Sequence, residues 1–415
     1  MLHVDSSDSY GGGDASFTFK QLQERLRINA SDHHDPIVSC NESFNESRNK
    51  QFSIDMSVPK VVFCRSGDVE FLVSQQVSKY LSFLSVKTMS IGLREGDHWV
   101  IPNTRSSIFA DKFLKLSEKR ALMTLFKSVV TSNSSAIHST ALTGHIMDRD
   151  EKVSFEIAEN VSGVQYLESL GITRPEIVGA IIHGMCMYPH PADILSGRDL
   201  VVRLRRFVSS LTAYEDGCPL LVPMYGNSDI PQSFARAAAV KGCLYILNCS
   251  LGQIQPELAA DCKVISMLNS QSNGNSVLHA TVALGDVDAS AQVSLTILPA
   301  SDLSSPPIYI LTLPNNSGSG SGVSPPGCAL VHFVQVFEDH GLTEQSTIAF
   351  DASVEKQICE KSVLFKARYQ HACGEDPFGI QDAILSATKT FNSCMGMAED
   401  TALPVSQDCV DDFHS

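Results

Sequence analysis

The order of strand-like and helical segments restricts the fold of this chain more than any other feature of its sequence. Short apolar runs typical of strands lie between Ile54 and Ile101, and similar runs return from residue 218 onward. Between them, apolar residues recur with a helical period. Strands, then helices, then strands indicate a sheet domain that is interrupted by an inserted helical domain. We therefore predict an α/β (α+β) fold with a discontinuous sheet domain, residues 1–104 and 214–415, and a mainly helical domain, residues 105–213.

The composition is that of a folded protein. Hydrophobic residues make up 43% and charged residues 19% of the 415 residues. A chain of this length buries roughly three quarters of the surface that its unfolded form exposes, so wholesale disorder is excluded. The exception is the stretch 29–50, whose Ser, Asn, Asp and His residues predict a solvated polar insertion.

Charge and targeting signals exclude several classes of protein. The chain has 31 Lys and Arg against 46 Asp and Glu, a net charge of −15, and no dense basic cluster that would neutralise the phosphates of a nucleic acid. An acidic surface is also repelled by anionic membranes. The start of the chain lacks the apolar run of a secretory signal, and its 12 cysteines contain no C-x-x-C pair. We expect reduced thiols and a cytosolic protein.

The common catalytic and cofactor-binding motifs are missing. The sequence contains no P-loop, no His-Glu-x-x-His and no Gly-x-Ser-x-Gly motif. The run from Gly318 to Gly322 has the glycines of a phosphate-binding loop, but it lies between Asn315 and Pro326 rather than between a strand and a helix, and so predicts a plain loop. We therefore expect no catalytic residues, no cofactor and no metal ion.

The most informative block runs from Pro223 to Asn248. Its sequence predicts the end of a strand, a polar turn, a helix that begins near Pro231 and is stopped by Gly242, and a second strand. Asp229 lies just before the predicted helix, where its carboxylate would accept hydrogen bonds from free helix N–H groups. Gln232 and Arg236 are four residues apart and therefore share one helix face.

This block, Pro223-Met-Tyr-Gly-Asn-Ser-Asp-Ile-Pro-Gln-Ser-Phe-Ala-Arg236, resembles a conserved region of the Rab escort protein and Rab GDP-dissociation inhibitor superfamily. The run Leu2-His-Val-Asp-Ser, followed by Tyr10-Gly-Gly, is similar to the first conserved region of the same superfamily. The resemblance implies that both regions meet on one surface, here called the platform, that grips a GDP-bound Rab GTPase. The platform residues that it implies are Tyr10, Asp229, Gln232, Arg236 and Ile246.

The segment from Ser107 to Val130 separates the two branches of the superfamily. We predict one continuous helix there, with a core stripe on one side and a second apolar stripe on the other. Phe109 and Arg120 fall about three turns apart on that second side. They resemble the pair with which escort proteins contact the α subunit of Rab geranylgeranyltransferase, whereas inhibitors lack the aromatic residue. We therefore favour an escort protein, with a GDP-dissociation inhibitor as the alternative.

The function that this resemblance implies is not catalytic. The chain would bind an unprenylated Rab GTPase, present it to the αβ heterodimer of Rab geranylgeranyltransferase, and then hold the geranylgeranyl lipid of the product until it reaches a membrane. A flavin-dependent oxidoreductase is a more distant alternative, because the sheet domain of the superfamily resembles that of such enzymes. That alternative needs a dinucleotide-binding glycine motif ahead of Asp5, and the sequence contains none.

The chain departs from the superfamily at its start. Relatives begin with a strand and a glycine-rich loop about 30 residues before the Leu-His-Val-Asp strand, whereas this sequence starts at Met1. A buried strand contributes several apolar side chains at about 1.5–3 kcal/mol each, which rivals the total stability of a typical domain, about 5–15 kcal/mol. We therefore expect a truncated chain whose sheet domain is weakly stable.

Overall fold

A computed structural model describes residues 2–28, 37–40, 50–93, 97–131, 160–214, 217–249, 275–300, 304–316, 320–338, 341–359, 361–374 and 376–395. Across these residues strands and helices follow the predicted order. The secondary-structure elements that the structure describes between residues 105 and 213 are all helices, and strands lie before and after this part of the chain.

The main structural element is a mixed sheet of eight strands. In spatial order they are β3 (Ile37–Cys40), β15 (Val363–Cys373), β11 (Asn275–Leu284), β14 (Cys328–Phe337), β13 (Ile308–Asn315), β12 (Ser294–Leu298), β7 (Thr88–Gly92) and β8 (His98–Val100). The β12–β7 pair is parallel and the other pairs are antiparallel. In the antiparallel β7–β8 pair, Gly92 lies opposite His98.

Strand β11 lies near the centre of this sheet, and the sequence analysis did not identify it. Its alternate residues serve two different cores. Leu278 and Val282 belong to a cluster with Phe350 of the helix at Glu344–Ile358, whereas Val277 belongs to the main core on the other side. A strand that is buried on both faces lacks the apolar and polar alternation from which strands are predicted.

Three smaller sheets lie beside the large one. They are β5-β9-β6 (Val62–Phe63, Leu220–Pro223, Phe83–Ser85), β2-β4 (Ser16–Phe17, Ile54–Asp55) and the parallel pair β1-β10 (Leu2–Val4, Leu244–Ile246). The β1-β10 pair joins the first conserved region to the end of the informative block.

Helices lie both in the region predicted to be helical, residues 105–213, and in the parts of the chain that were assigned to the sheet domain. They are α1 (Phe19–Ile28), α2 (Gly67–Ser74), α3 (Arg105–Ala110), α4 (Leu116–Thr131), α5 (Gly163–Ser169), α6 (Pro175–Gly179, continued by a π-helical turn at Ala180–Met185), α7 (Gly197–Ser210), α8 (Asp229–Val240), α9 (Glu344–Ile358) and α10 (Gln381–Met395). None of the helices in the described ranges has the length and apolar character needed to cross a membrane.

The prediction of one continuous helix from Ser107 to Val130 is wrong. Helix α3 ends at Ala110, and α4 begins at Leu116. Between them, the carboxylate of Asp111 accepts hydrogen bonds from the backbone N–H groups of Phe113 and Leu114 at 2.8 Å and from the indole of Trp99 at 2.9 Å. These bonds replace helical ones, and the Trp99 contact comes from β8, which helical periodicity does not reveal.

The polar stretch 29–50 is not entirely a solvated loop. Residues 37–40 form β3, which pairs with Phe365–Arg368 at the edge of the large sheet. Most of the rest of that stretch lies outside the described residues. Among the apolar runs after residue 218 that predict strands, the run at 264–268 also lies outside the described residues, whereas the runs near 220, 244, 294, 308 and 329 form strands.

A seam of polar side chains crosses the large sheet on its main-core side. His279 Nε2 lies 3.0 Å from His332 Nδ1, and the hydroxyl of Thr281 lies within 3.4 Å of both nitrogens. Tyr369 lies 3.3 Å from Thr281 and donates a hydrogen bond of 2.7 Å to the backbone carbonyl of Asp55. Burial lowers the pKa of His332 to about 3 and holds that of His279 well below its usual value.

These histidines tie stability to pH. In the unfolded chain His332 binds a proton near its ordinary pKa of 6.5, but in the folded chain only near 3. Between those values the unfolded state binds one proton more than the folded state. The contribution of His332 to the free energy of unfolding is therefore fully present above pH 6.5 and is lost as the pH falls. Burial raises the pKa of Asp55 and Asp68 to about 7, so these two carboxyls act in the opposite direction.

The substitution His332→Gln tests this effect. We expect the slope of the unfolding free energy against pH, between about pH 4 and 6, to be lower than that of the wild type by about 1.4 kcal/mol per pH unit, because one proton uptake on unfolding is removed. Denaturant titrations at several pH values measure the slope, and the opposing carboxyls are common to both proteins. Equal slopes would contradict the assignment of His332.

Candidate functional site

The structure brings the two conserved regions together, as the resemblance implies. The ring of Tyr10 meets the ring of Tyr245 edge-on, with centroids 5.5 Å apart, and Tyr245 lies on β10. The next residue, Gly11, has a φ of 104° and packs on Pro231 in the first turn of α8. A Cβ at position 11 would lie 3.0 Å from the Pro231 ring, so this turn requires glycine both for its backbone and for its close approach to the helix.

A buried carboxylate bonds to both regions. Asp55 Oδ1 accepts a hydrogen bond of 2.5 Å from the hydroxyl of Ser16 and one of 2.9 Å from the backbone N–H of Asn227. Ser16 follows the Tyr10 turn, and Asn227 precedes α8. Gly226, with a φ of 94°, lets the carboxylate approach, because a Cβ there would lie 2.9 Å from Asp55 Oδ1.

The side chain of Asn227 adds three further bonds. Its amide nitrogen donates to Ser57 Oγ and to the carbonyl of Val58, each at 2.8 Å, and its amide oxygen accepts from the backbone N–H of Lys60 at 2.8 Å. Ser57 in turn donates to Asp14, at the end of the short 3₁₀ turn that follows Tyr10, at 2.6 Å. Asn227 is 1% exposed, so these bonds form away from water.

Burial is also the main electrostatic influence on Asp55. It raises the pKa of this carboxyl to about 7, while the hydrogen bonds from Ser16 and Asn227 lower it; Asp14 raises it and Lys60 lowers it. Burial therefore outweighs the two donors and the nearby cation, and they offset only part of its cost to the charged form of Asp55.

The predicted platform residues on α8 lie at its surface. Gln232 and Arg236 are both exposed, and Asp229 is half-buried. Asp229 does not cap the helix as predicted: it is the first helical residue, and Ser228 occupies the capping position without a side-chain cap bond. The helix starts earlier because the turn 226–228 is held by Asp55, Ser16 and Asn227. Burial raises the pKa of Asp229.

Ile246 lies on a different face from the Tyr10 contact. Successive strand residues point to opposite faces of a sheet, so Ile246 lies opposite Tyr245, whose ring contacts Tyr10. Ile246 is 44% exposed and shares its face with Leu2 and Leu244, which are 46% and 69% exposed. Tyr10 and Ile246 therefore lie on opposite faces of the two-stranded sheet β1-β10.

The glycine and serine loop after β13 also reaches this region, and the sequence analysis did not place it there. The backbone N–H of Gly322 donates to the carbonyl of Met224 at 2.8 Å, and that of Ser53 donates to Val323 at 2.9 Å. A side chain at position 322 would overlap the ring of Tyr225, which is 48% exposed. The glycine at 322 thus serves contact with the turn before α8 rather than phosphate binding.

A second exposed patch lies on α3 and α4. Phe109 is 48% exposed and Leu116 is 59% exposed, and Arg120 is exposed on α4. The guanidinium of Arg105 lies 5.9 Å from the Phe109 ring centroid. Lys119 connects the two helices, donating to the carbonyls of Phe109 at 2.8 Å and Asp111 at 2.5 Å. We call Phe109, Leu116 and Arg120 the Phe109 patch.

Phe113, four residues after Phe109, is half-buried and packs against the main core. Its ring lies 4.7 Å from that of Trp99 and 4.1 Å from the guanidinium of Arg174.

Within the described ranges, no group of three or more His, Cys, Asp or Glu side chains is arranged to hold a metal ion.

The substitution Asn227→Ala tests the buried network. It leaves the N–H of Lys60 and the carbonyl of Val58 without their partner, so we expect a loss of about 2–3 kcal/mol in the free energy of unfolding. Denaturant titration measures it. Gln232→Ala, at an exposed position of the helix that follows Asn227, is the matched control and is expected to leave stability unchanged within about 0.5 kcal/mol. Equal stability of the two variants would contradict the role of Asn227.

Comparison with known proteins agrees with this geometry. The family model for GDP dissociation inhibitors (GDI) matches residues 1–287. Rab escort protein 1 of Arabidopsis thaliana is 26% identical over 287 residues, covering 60% of this chain and 49% of the relative. A guanosine nucleotide diphosphate dissociation inhibitor of the same plant is 28% identical over 254 residues, covering 60% and 50%. The chain thus spans about half the length of these curated relatives.

The comparison with solved structures gives a related fold. The crystal structure of Rab GDI from Plasmodium falciparum superimposes with a TM-score of 0.59 at 15% sequence identity, covering 95% of this chain and 92% of that chain. At this identity the likeness shows a shared fold. Because the family model matches more than half of its residues, the chain belongs to the GDP dissociation inhibitor family, which includes Rab escort proteins among its relatives.

Proposed function

We propose that this protein is a Rab escort protein. It binds unprenylated, GDP-bound Rab GTPases, presents them to the αβ heterodimer of Rab geranylgeranyltransferase and accompanies the geranylgeranylated product to membranes. It acts as a non-catalytic accessory subunit in the cytosol. Membership of the GDI family and the similarity to Rab escort protein 1 of Arabidopsis thaliana support this proposal.

The platform is the GTPase-binding part of this proposal. Tyr10, Gln232 and Arg236 offer an aromatic ring, an amide and a guanidinium on one buried framework, and such side chains are common at the centres of protein interfaces. Because Asp55 and Asn227 fix the turns on both sides, little order has to be gained on binding.

The observation that carries the escort function is the exposure of the Phe109 patch. The ring of Phe109 is 48% exposed, with the guanidinium of Arg105 5.9 Å from its centroid, whereas its neighbour Phe113 is packed against Trp99. The aromatic and arginine residues of such a patch are the types most enriched at interface hot spots. The helix break at 111–115 does not separate the patch, because Lys119 holds the two helices together.

The lipid part of the function follows from chemistry. A geranylgeranyl chain has about 20 carbons, so at ~0.8 kcal/mol per methylene its exposure to water costs on the order of 10 kcal/mol. The protein offsets that cost by sheltering the chain. Helices α5–α7, rich in buried apolar residues such as Leu167 and Leu204, are the proposed source of the shelter.

The alternative is a GDP-dissociation inhibitor, which the relative of that name at 28% identity supports. An inhibitor would bind Rab GTPases through the same platform but would not bind the transferase. The two functions are therefore separated by the Phe109 patch alone.

The substitution Phe109→Ala tests the proposal. We expect the variant to lose at least about 2 kcal/mol of transferase binding, roughly thirtyfold, because an aromatic anchor of an interface is removed, while Rab binding stays unchanged. Pull-down and titration with the purified αβ heterodimer measure the loss. Ile348→Ala is the matched control, since Ile348 is 63% exposed on α9, away from the patch.

Two outcomes decide between the alternatives. If the wild type binds Rab GTPases but not the transferase, the inhibitor function is supported and the escort function is contradicted. If the wild type binds the transferase and Phe109→Ala binds it equally well, the patch is not the contact.

A further inference from the structure

Two cationic side chains lie close to the aromatic ring of Tyr80, next to α8. The guanidinium of Arg236 lies 4.9 Å from the centroid of the Tyr80 ring, and the ammonium of Lys79 lies 5.4 Å from the same centroid. Both cations belong to exposed residues, and Tyr80 is half-buried. Within the part of the chain that the structure describes, neither cation forms an ion pair with a carboxylate.

The 3₁₀ turn that holds Tyr80 is fixed to α8. Its residues are Ser78–Tyr80, and Ser233 of α8 donates a hydrogen bond of 3.2 Å to the carbonyl of Tyr80. The flanking residues Val77 and Leu81 pack in one apolar cluster with Ile230 and Phe234 of the helix. The turn and the helix therefore form one rigid unit, and Gly11 packs on the same helix at Pro231.

This arrangement restricts both cations before any partner arrives. An aromatic face attracts a cation by about 0.5–1 kcal/mol at an exposed position, and this attraction holds Arg236 and Lys79 near the ring instead of leaving them free in water. The chain as a whole has a net charge of −15, whereas Lys79 and Arg236 together form a small positive patch with no carboxylate of the described residues paired to either cation. Such a patch favours an anionic group on a partner.

We propose that Lys79, Tyr80 and Arg236 form a cationic clamp that binds an acidic segment of the GTPase, with Lys79 a contact residue and Tyr80 a positioning residue for Arg236. This inference rests on the proposed GTPase binding and adds to it a residue outside the two conserved regions. The expected ligand groups are carboxylates of Asp or Glu side chains, because the clamp lies at the rim of a platform whose other residues suit a protein surface.

The test is a titration of the full chain with a panel of GDP-bound, unprenylated Rab GTPases at low and high salt. Lys79→Glu is expected to weaken binding about tenfold at low salt and to remove most of its salt dependence, because an attraction becomes a repulsion. Lys241→Glu changes the net charge equally, at an exposed residue just past the end of α8, and is expected to bind like the wild type.

Variants of Tyr80 test its positioning role. Tyr80→Leu removes the ring and is expected to weaken binding about two- to fivefold, whereas Tyr80→Phe keeps the ring and is expected to bind normally. A wild type that binds no GTPase of the panel contradicts the proposed function itself. A wild type that binds, with Lys79→Glu binding equally well and with the same salt dependence, overturns the clamp and leaves the proposed function standing.

Discussion

The carboxylate of Asp55 accepts hydrogen bonds from two distant parts of the chain, the hydroxyl of Ser16 and the backbone of Asn227. The amide of Asn227 continues the network to Ser57, Val58 and Lys60. Asp55 and Asn227 are buried, so a broken bond at either side chain leaves a polar atom unsatisfied at a cost of about 1–3 kcal/mol. The surface arrangement of Tyr10, Gln232 and Arg236 depends on this buried network.

Close packing around this network also explains two glycines of the region. Gly226 is required because a side chain would collide with the Asp55 carboxylate, and Gly11 because one would collide with Pro231. Both glycines therefore serve close packing between segments rather than phosphate binding. Two loops and one helix thus form a rigid surface, although β1 and β10 make a sheet of only two described strands.

Local sequence signals predicted much of this structure. The strand, turn, helix and strand of residues 220–246 are present, because each follows from nearby residues such as Pro231 and Gly242. The exposure of Gln232 and Arg236 also follows from helix geometry. Predictions failed where a distant contact decides the result, as in the helix break at Asp111, which Trp99 stabilises, and in β11, which is buried on both faces.

The buried network was beyond reach of sequence reasoning for the same reason. Asp55 and Asn227 are 172 residues apart, and neither belongs to a recognisable catalytic or metal-binding spacing. Lys79 and Tyr80 likewise meet Arg236 only through folding. Motif matching pointed to Gln232 and Arg236, which are exposed on α8, whereas the residues that position this helix required the tertiary structure.

The central claim is that the Tyr10 turn and α8 form one binding surface for a GTPase. Hydrogen exchange of the full chain, with and without a GDP-bound Rab GTPase, tests it most directly. The account predicts that backbone amides of residues 10–14 and 225–236 become protected together when the GTPase binds. Binding that protects neither segment, or only one of them, would contradict a shared surface.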